Sequence, residues 1–338
     1  MGTVGPAELA LLEETVRRAA GVPTRISGEV VELLPGTLRE AARALAARDL
    51  ARAPAGRVQV SLAAFDRIEA PDLTACTVRV GCEANVGEVD AVLGSSALCL
   101  GTLSPRARGL TVRQWLEGPR AGLRVVPGGR LETAALSISV ALKGGGLFVS
   151  HPAPRSAVGP VLEGAFLGCG GQAGVLVEAQ LRALPRAERQ ETGHAGVERP
   201  EDVVSLLREA LQQDVPLAEV QVLKKARGWA LDIVIATRAF RARRDRAALE
   251  ALVKRRGELR TMRRVYERDF PFEGEVGWDR LAWAIAEARP LALFRLSRES
   301  VVVAAQGPVK GARDLDGAVA DLPSAFLSAL QPPEAREA

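Results

Sequence analysis

The stretch GPVLEGAFLGCGGQAGVLVEAQLRALP, residues 159–185, decides the fold of this chain. Four of its glycines crowd seven residues, and an apolar run follows at once. Glycine lets backbone approach closely, because it has no Cβ and tolerates positive φ. Apolar and polar residues then alternate up to Leu184 and Pro185, which predicts a strand entered from a glycine-rich turn. The glycines are Gly168, Gly170, Gly171 and Gly174, and the run begins at Val175.

The spacing of these glycines does not match the common nucleotide loops. It is not G-x-x-x-x-G-K-[ST], and no helix pattern opens after it as the dinucleotide fingerprint requires. On the glycines alone, a tight turn needed for packing is the simpler interpretation.

Length and composition indicate a globular protein with room for two domains. The 338 residues are 47% hydrophobic and 25% charged, with a net charge of +4, which is too mild to indicate nucleic-acid binding. No run approaches the ~18 apolar residues of a membrane helix, and the first residues lack a basic secretory n-region. We therefore expect a cytoplasmic protein without a membrane span.

Cysteine and histidine usage disfavours a metal centre. The four cysteines form no C-x-x-C pair, and His151 and His194 are the only histidines. We predict reduced thiols and no metal site. Neither histidine is identified as a catalytic base, because a loop histidine is more often solvated than catalytic, so the catalytic residues stay unknown.

Secondary-structure signals divide the chain at Pro185. Before it, a helix is predicted over 7–20, and Thr37 with Glu40 forms the capping box of a second helix. After it, the order strand, helix, two strands, helix, strand suggests a small ferredoxin-like sheet. The later segments Leu291–Leu296 and Val301–Ala305 are predicted to pair as a hairpin.

The block Pro154–Leu184 resembles the end of the FAD-binding domain in FAD-linked oxidases of the vanillyl-alcohol oxidase and p-cresol methylhydroxylase (PCMH) type. It reads P-R-S-A-V-G-P, a helix-like VLEGAFLG, then G-x-G-G-x-x-G-V-L-V-E-A-x-L-x-x-L-P. Thr77–Leu93 is similar to the same family's strand, glycine and helix. The resemblance implies an α+β protein. Its parts are an N-terminal helix in residues 1–24, a two-subdomain PCMH-type FAD-binding fold in 25–185, a small ferredoxin-like α+β cap domain in 186–330 and a disordered tail in 331–338.

The resemblance also implies a set of FAD-binding residues. In the family, backbone amides cradle the pyrophosphate and the glycine loop lies beside the adenine and pyrophosphate. Arg57 is interpreted either as a phosphate partner or as a solvated arginine. Gly174→Val is expected to abolish flavin retention, by filling ligand space and disfavouring positive φ. The implied set is Gly56, Arg57, Thr111, Val112, Arg155, Gly168, Gly170, Gly171, Gly174 and Val175.

Two loops depart from the family pattern. The family's R-G-x-G-[ST] is replaced by residues 52–57, RAPAGR, in which Pro54 removes an amide donor. Its T-[VI]-G-G is replaced by residues 111–114, TVRQ, whose larger side chains would crowd a ligand. We therefore expect FAD to bind non-covalently, and weakly or not at all.

Three functions stay open at this stage. The chain is most similar to the FAD-binding E subunits of glycolate oxidases, which implies oxidation of a 2-hydroxy acid together with a second oxidoreductase subunit. The alternative is a flavin-free pseudoenzyme that keeps the fold as a partner-binding or scaffolding subunit. A nucleic-acid binder is disfavoured, because the arginines of segment 238–268 are interleaved with acids.

Overall fold

A computed structural model describes residues 5–51, 57–101, 103, 105–118, 134–152, 162–254, 260–261, 272–287, 291–296, 300–305 and 313–314. The helices are α1 Pro6–Ala20, α2 Leu38–Leu50, α3 Val86–Gly94, α4 Pro105–Arg108, α5 Val112–Glu117, α6 Pro200–Gln212, α7 Ala242–Lys254 and α8 Leu281–Glu287. The strands are β1 Thr24–Ser27, β2 Val30–Leu33, β3 Val58–Val60, β4 Thr77–Gly81, β5 Leu98–Cys99, β6 Ala135–Leu142, β7 Leu147–Val149, β8 Gly174–Arg182, β9 Leu184–Pro185, β10 Arg189–Val197, β11 Leu217–Lys224, β12 Trp229–Thr237, β13 Arg260–Thr261, β14 Phe272–Gly277, β15 Leu291–Leu296, β16 Ser300–Ala305 and β17 Arg313–Asp314.

The residues before Pro185 build two sheets. The first has the order β1-β2-β3, with β1 antiparallel and β3 parallel to β2. The second is antiparallel, in the order β4-β8-β6-β7. Strands β5 and β9 form a short antiparallel pair, which places Cys99 beside Leu184, just before the division at Pro185.

Helix α2 joins the two sheets because both of its faces are apolar. It begins at the predicted capping box, in which Thr37 Oγ1 accepts the Glu40 amide at 3.2 Å and Glu40 Oε2 accepts the Thr37 amide at 3.1 Å. One face packs into the core of the first sheet and the other into the core of the second. The first face carries Ala44 and Ala47, and the second carries Ala41, Ala42 and Leu45.

The residues after Pro185 form an eight-stranded antiparallel sheet. Its first four strands lie in the order β13-β10-β12-β11, which with α6 and α7 is the predicted ferredoxin-like arrangement. The sheet then continues as β15-β16-β14-β17. The sheet extends beyond the edge of β11 because β15 pairs along that strand, for example Val220 with Leu293.

The hydrophobic cores follow the same division. Two buried clusters draw their members from residues 9–183, and a third draws its members from residues 195–305. The α+β fold class is confirmed, whereas the domain boundaries stay a prediction. Among the described helices, none has the length and apolar character needed to cross a membrane.

One local prediction was wrong. The segment VLEGAFLG reads as helix-like, but its described residues contain only a short 3-10 helix, Glu163–Ala165, followed by turns. Gly164 and Gly168 explain the difference, because glycine weakens a helix and Gly168 takes φ +74°.

Candidate functional site

The glycine loop before β8 is fixed to the end of α5. Its residues Gly168, Gly170 and Gly171 take φ values of +74°, +63° and +73°, which other residues rarely adopt. The Gly168 amide donates to Leu116 O and the Gly170 amide to Glu117 O, both at 2.8 Å. Amides of the loop therefore cap carbonyls at the end of α5.

Gly174 serves packing between strands. Its φ is not positive, so that part of the expectation for Gly174→Val was wrong. A Cβ at this residue would lie 2.4 Å from Ala141 O and 2.9 Å from Leu142 Cα, both on β6. The space that a side chain would fill belongs to the neighbouring strand. Val175, next along β8, is half-buried and packs against the core of the second sheet.

The loop at 111–114 is the first turn of α5. Thr111 Oγ1 accepts the Gln114 amide at 3.2 Å, and Gln114 Oε1 accepts the Thr111 amide at 3.0 Å, which is a capping box. The Val112 amide donates to Ala84 O at 2.9 Å, and Val112 itself is fully buried. The Arg113 amide likewise donates to a carbonyl, Cys82 O, at 2.8 Å. The amides of this turn are thus paired within the chain.

Beside this turn lies a group of buried and half-buried ionisable side chains. Arg113 Nε donates to Glu83 Oε1 at 2.7 Å. Glu117, only 8% exposed, accepts the Leu176 amide at 2.6 Å. Burial raises the pKa of Glu117 to about 7, against the lowering effects of that hydrogen bond and of Arg113. Burial also raises the pKa of the Cys82 thiol, which therefore stays protonated.

Arg57 is a partner of Glu29. Its guanidinium pairs with the Glu29 carboxylate and donates to the Glu29 carbonyl at 3.2 Å, and its side chain is 15% exposed. The sequence interpretation of Arg57, as a phosphate partner or as a solvated arginine, does not include this ion pair. Gly56 and Arg155, also in the predicted set, lie outside the described residues.

The fold has clear relatives among solved structures, although no family model matches the sequence. It superposes on p-cresol methylhydroxylase with substrate bound at a TM-score of 0.63 and 11% identity, covering 90% of this chain and 84% of that one. It superposes on the isoeugenol complex of 4-ethylphenol oxidase from Gulosibacter chungangensis at a TM-score of 0.65 and 10% identity. That match covers 89% of this chain and 83% of the oxidase. This chain has the fold of the PCMH-type FAD-binding oxidases.

A third relative with the PCMH-type fold is an alkyldihydroxyacetonephosphate synthase, with a TM-score of 0.63 and 12% identity. The match covers 81% of this chain but 66% of the synthase, so the present chain spans about two thirds of that protein's length. At these identities the likeness establishes the fold alone.

The described residues of the predicted site leave open space beside Gly168 but do not offer the hydrogen bonds that FAD needs. A Cβ at Gly168 would meet no atom within 4 Å, so this part of the loop borders open space. The amides of Gly168, Gly170, Thr111 and Val112, however, already donate to acceptors of the chain. A pyrophosphate needs converging unpaired amides, and these four do not supply them.

The PCMH-type fold also brings together a pair that sequence reasoning missed. His194 on β10 and Asp232 on β12 face each other, with Nδ1 and Oδ1 2.6 Å apart. The alternation of β10 and β12 places them opposite the apolar face that packs on α6 and α7. Asp232 is buried, and the His194 side chain is 32% exposed. A carboxylate on Nδ1 leaves Nε2 to accept a proton, whereas His151 is exposed on a loop.

Proposed function

We propose that this chain is an FAD-dependent oxidoreductase. The observation that carries the proposal is the fold, which matches solved oxidases over more than four fifths of their length. In such proteins the flavin supplies the redox chemistry, and the protein supplies orientation and electrostatics. His194, held by Asp232, is the described residue best placed by its own contacts to accept a proton.

The finer proposal is that the chain oxidises a 2-hydroxy acid together with a second oxidoreductase subunit. Its support is the resemblance of the short cap, with residues 290–296 as a late strand, to the E-subunit family, and the internal pairing of the described amides. Because the chain uses these donors itself, additional phosphate contacts are needed for tight binding. We propose that a partner subunit supplies those contacts, or that it changes the geometry of the loops so that their amides become free to bind phosphate.

A second candidate is a flavin-free subunit that keeps the fold for binding partners. The specific observation in its favour is the capping box at Thr111 and Gln114, which stands where the family has a glycine pair. The same turn carries Arg113, whose side chain is engaged by Glu83. On this proposal the loop has become an ordinary helix start.

Turnover measurements test the proposed reaction. We expect the purified full chain, supplied with FAD, to reduce an artificial electron acceptor slowly or not at all with glycolate or D-lactate. We expect co-expression with the adjacent subunit of its complex to raise the rate by at least about tenfold, because roughly 1.4 kcal/mol of added stabilisation gives that factor.

The control is the same assay with glycolamide and lactamide, which lack the carboxylate. Robust turnover by the lone chain would contradict the need for a partner. Absence of turnover in every complex, with flavin bound, would contradict the 2-hydroxy acid substrate, and absence of flavin from those complexes would favour the flavin-free subunit.

A further inference from the structure

We propose that a cleft between the two halves of the chain binds a small organic monocarboxylate. The cleft has a volume of about 840 Å³ and lies where the β5–β9 pair meets the ends of β10, β11 and β12. None of the predicted FAD residues lines it, so the proposal goes beyond the flavin site and does not depend on it. Its apolar wall consists of Leu184, Pro185, Pro216, Leu217, Ala218 and Ala236.

Two arginines on one side of the cleft are held by a buried carboxylate. Asp90 is 2% exposed and accepts the Leu100 amide at 2.9 Å. Its Oδ2 lies 3.1 Å from Arg186 Nη2 and 3.7 Å from Arg108 Nη1. Since a guanidinium carries five N–H donors, these contacts leave donors of both arginines for a further acceptor. Both side chains stay about half exposed, at 45% and 53%.

A second buried carboxylate, on α7, holds another arginine of the cleft lining. Asp245, 3% exposed, contacts Thr237 Oγ1 and lies 3.4 Å from Arg241 Nη2. Arg241 also lies 3.5 Å from the exposed Asp214. The Arg241 Nε is buried and has no hydrogen-bond partner within the described part of the chain. A buried unpaired donor costs free energy. Because this Nε is shielded from the cleft, a ligand would have to meet the other donors of Arg241.

Two exposed residues complete the mouth of the cleft. Arg238 is exposed, and Phe240 has 78% of its surface accessible. An exposed phenyl ring beside arginines suits a ligand with an apolar body and an anionic end. The acid Glu188 also lines the cleft, and its Oε2 accepts the Ala239 amide at 3.0 Å.

The charges around the cleft favour a single negative charge on the ligand. Four arginines, at positions 108, 186, 238 and 241, line the cleft with three acids, at positions 90, 188 and 245, and Asp214 lies 3.5 Å from Arg241. Guanidinium groups bind carboxylates through paired N–H···O contacts. Because acids stand beside the arginines, a monocarboxylate meets less repulsion than a phosphate dianion.

Titration calorimetry of the flavin-free full chain tests the site. Phenylacetate is the probe, phenylacetamide is its uncharged counterpart, and inorganic phosphate is the competing anion. We expect saturable binding of phenylacetate that weakens with salt, and no measurable binding of the amide. We expect about tenfold weaker binding in Arg241→Gln and about threefold in Arg238→Gln, which removes an exposed side chain and spares the fold.

The matched control is Arg246→Gln, an exposed arginine of α7 that pairs with Glu250 and lies outside the cleft. It should leave the affinity unchanged. The proposal is overturned if phenylacetate does not bind, if the amide or phosphate binds as tightly, or if Arg246→Gln weakens binding as much as Arg238→Gln. Because no flavin is present, failure here is distinct from failure of the proposed oxidoreductase function.

Discussion

Gly174→Ala is expected to lower the free energy of unfolding by about 3 kcal/mol, at the upper end of overpacking effects. The new Cβ would lie 2.4 Å from Ala141 O and 2.9 Å from Leu142 Cα. Both atoms belong to the backbone of β6, which is held on its other side by β7 and cannot turn aside as a side chain would. Urea unfolding followed by circular dichroism measures the loss.

The control is Gly196→Ala, an exposed glycine near the end of β10 in a different sheet. A Cβ there would meet no atom within 4 Å, so we expect a change within about 0.5 kcal/mol. A Gly174→Ala protein as stable as the wild type would show that the space beside Gly174 is not filled by β6. Flavin loss in Gly174→Val therefore cannot by itself locate a flavin site.

Glu117→Gln is expected to remove a pH dependence of stability that amounts to about 3 kcal/mol. The pKa of Glu117 in the folded protein is about 7, above its ordinary value of 4.5. Since each unit of pKa difference corresponds to about 1.4 kcal/mol, the difference between these two pKa values accounts for the about 3 kcal/mol of pH-dependent stability. Because the folded-state pKa is raised, this contribution is fully present below about pH 4.5 and is lost as the pH rises through about 7. Glutamine keeps an acceptor for the Leu176 amide but does not titrate.

The measurement is the free energy of unfolding of wild type and variant at about pH 5 and about pH 8. We expect the wild type to lose stability relative to Glu117→Gln between the two values. Glu88→Gln, which removes an exposed carboxylate at the start of α3, should follow the wild type. Parallel curves for wild type and Glu117→Gln would contradict the assignment of a buried, protonatable carboxyl beside the glycine loop.

Features set by neighbouring residues could be predicted from the sequence. The capping box at Thr37 and Glu40, and the strand after Gly174, depend only on local spacing and alternation. The turn at Thr111 carries the same kind of signal, because T-x-x-Q is itself a capping box.

Features that depend on distant pairing could not be predicted. Glu117 accepts a hydrogen bond from the Leu176 amide, 59 positions away in the sequence, and Arg57 donates one to Glu29, 28 positions away. The extension of the eight-stranded sheet depends on which strand joins the edge of β11, which periodicity does not specify.

The His194–Asp232 pair follows from the register of β10 against β12. A shift of one residue would separate the two side chains onto opposite faces. The four-arginine cleft likewise joins segments on both sides of Pro185, so no single stretch of sequence contains its signal.

Equilibrium titration of the purified full chain with FAD tests the proposed oxidoreductase function most directly. Equilibrium dialysis with detection of bound flavin by its visible absorbance gives affinity and stoichiometry together. We expect saturable binding of one FAD per chain, with a dissociation constant on the order of micromolar, since the described loop amides are engaged within the chain. Absence of saturable FAD binding, both by the chain alone and by the chain with the proposed second subunit, would contradict the proposal.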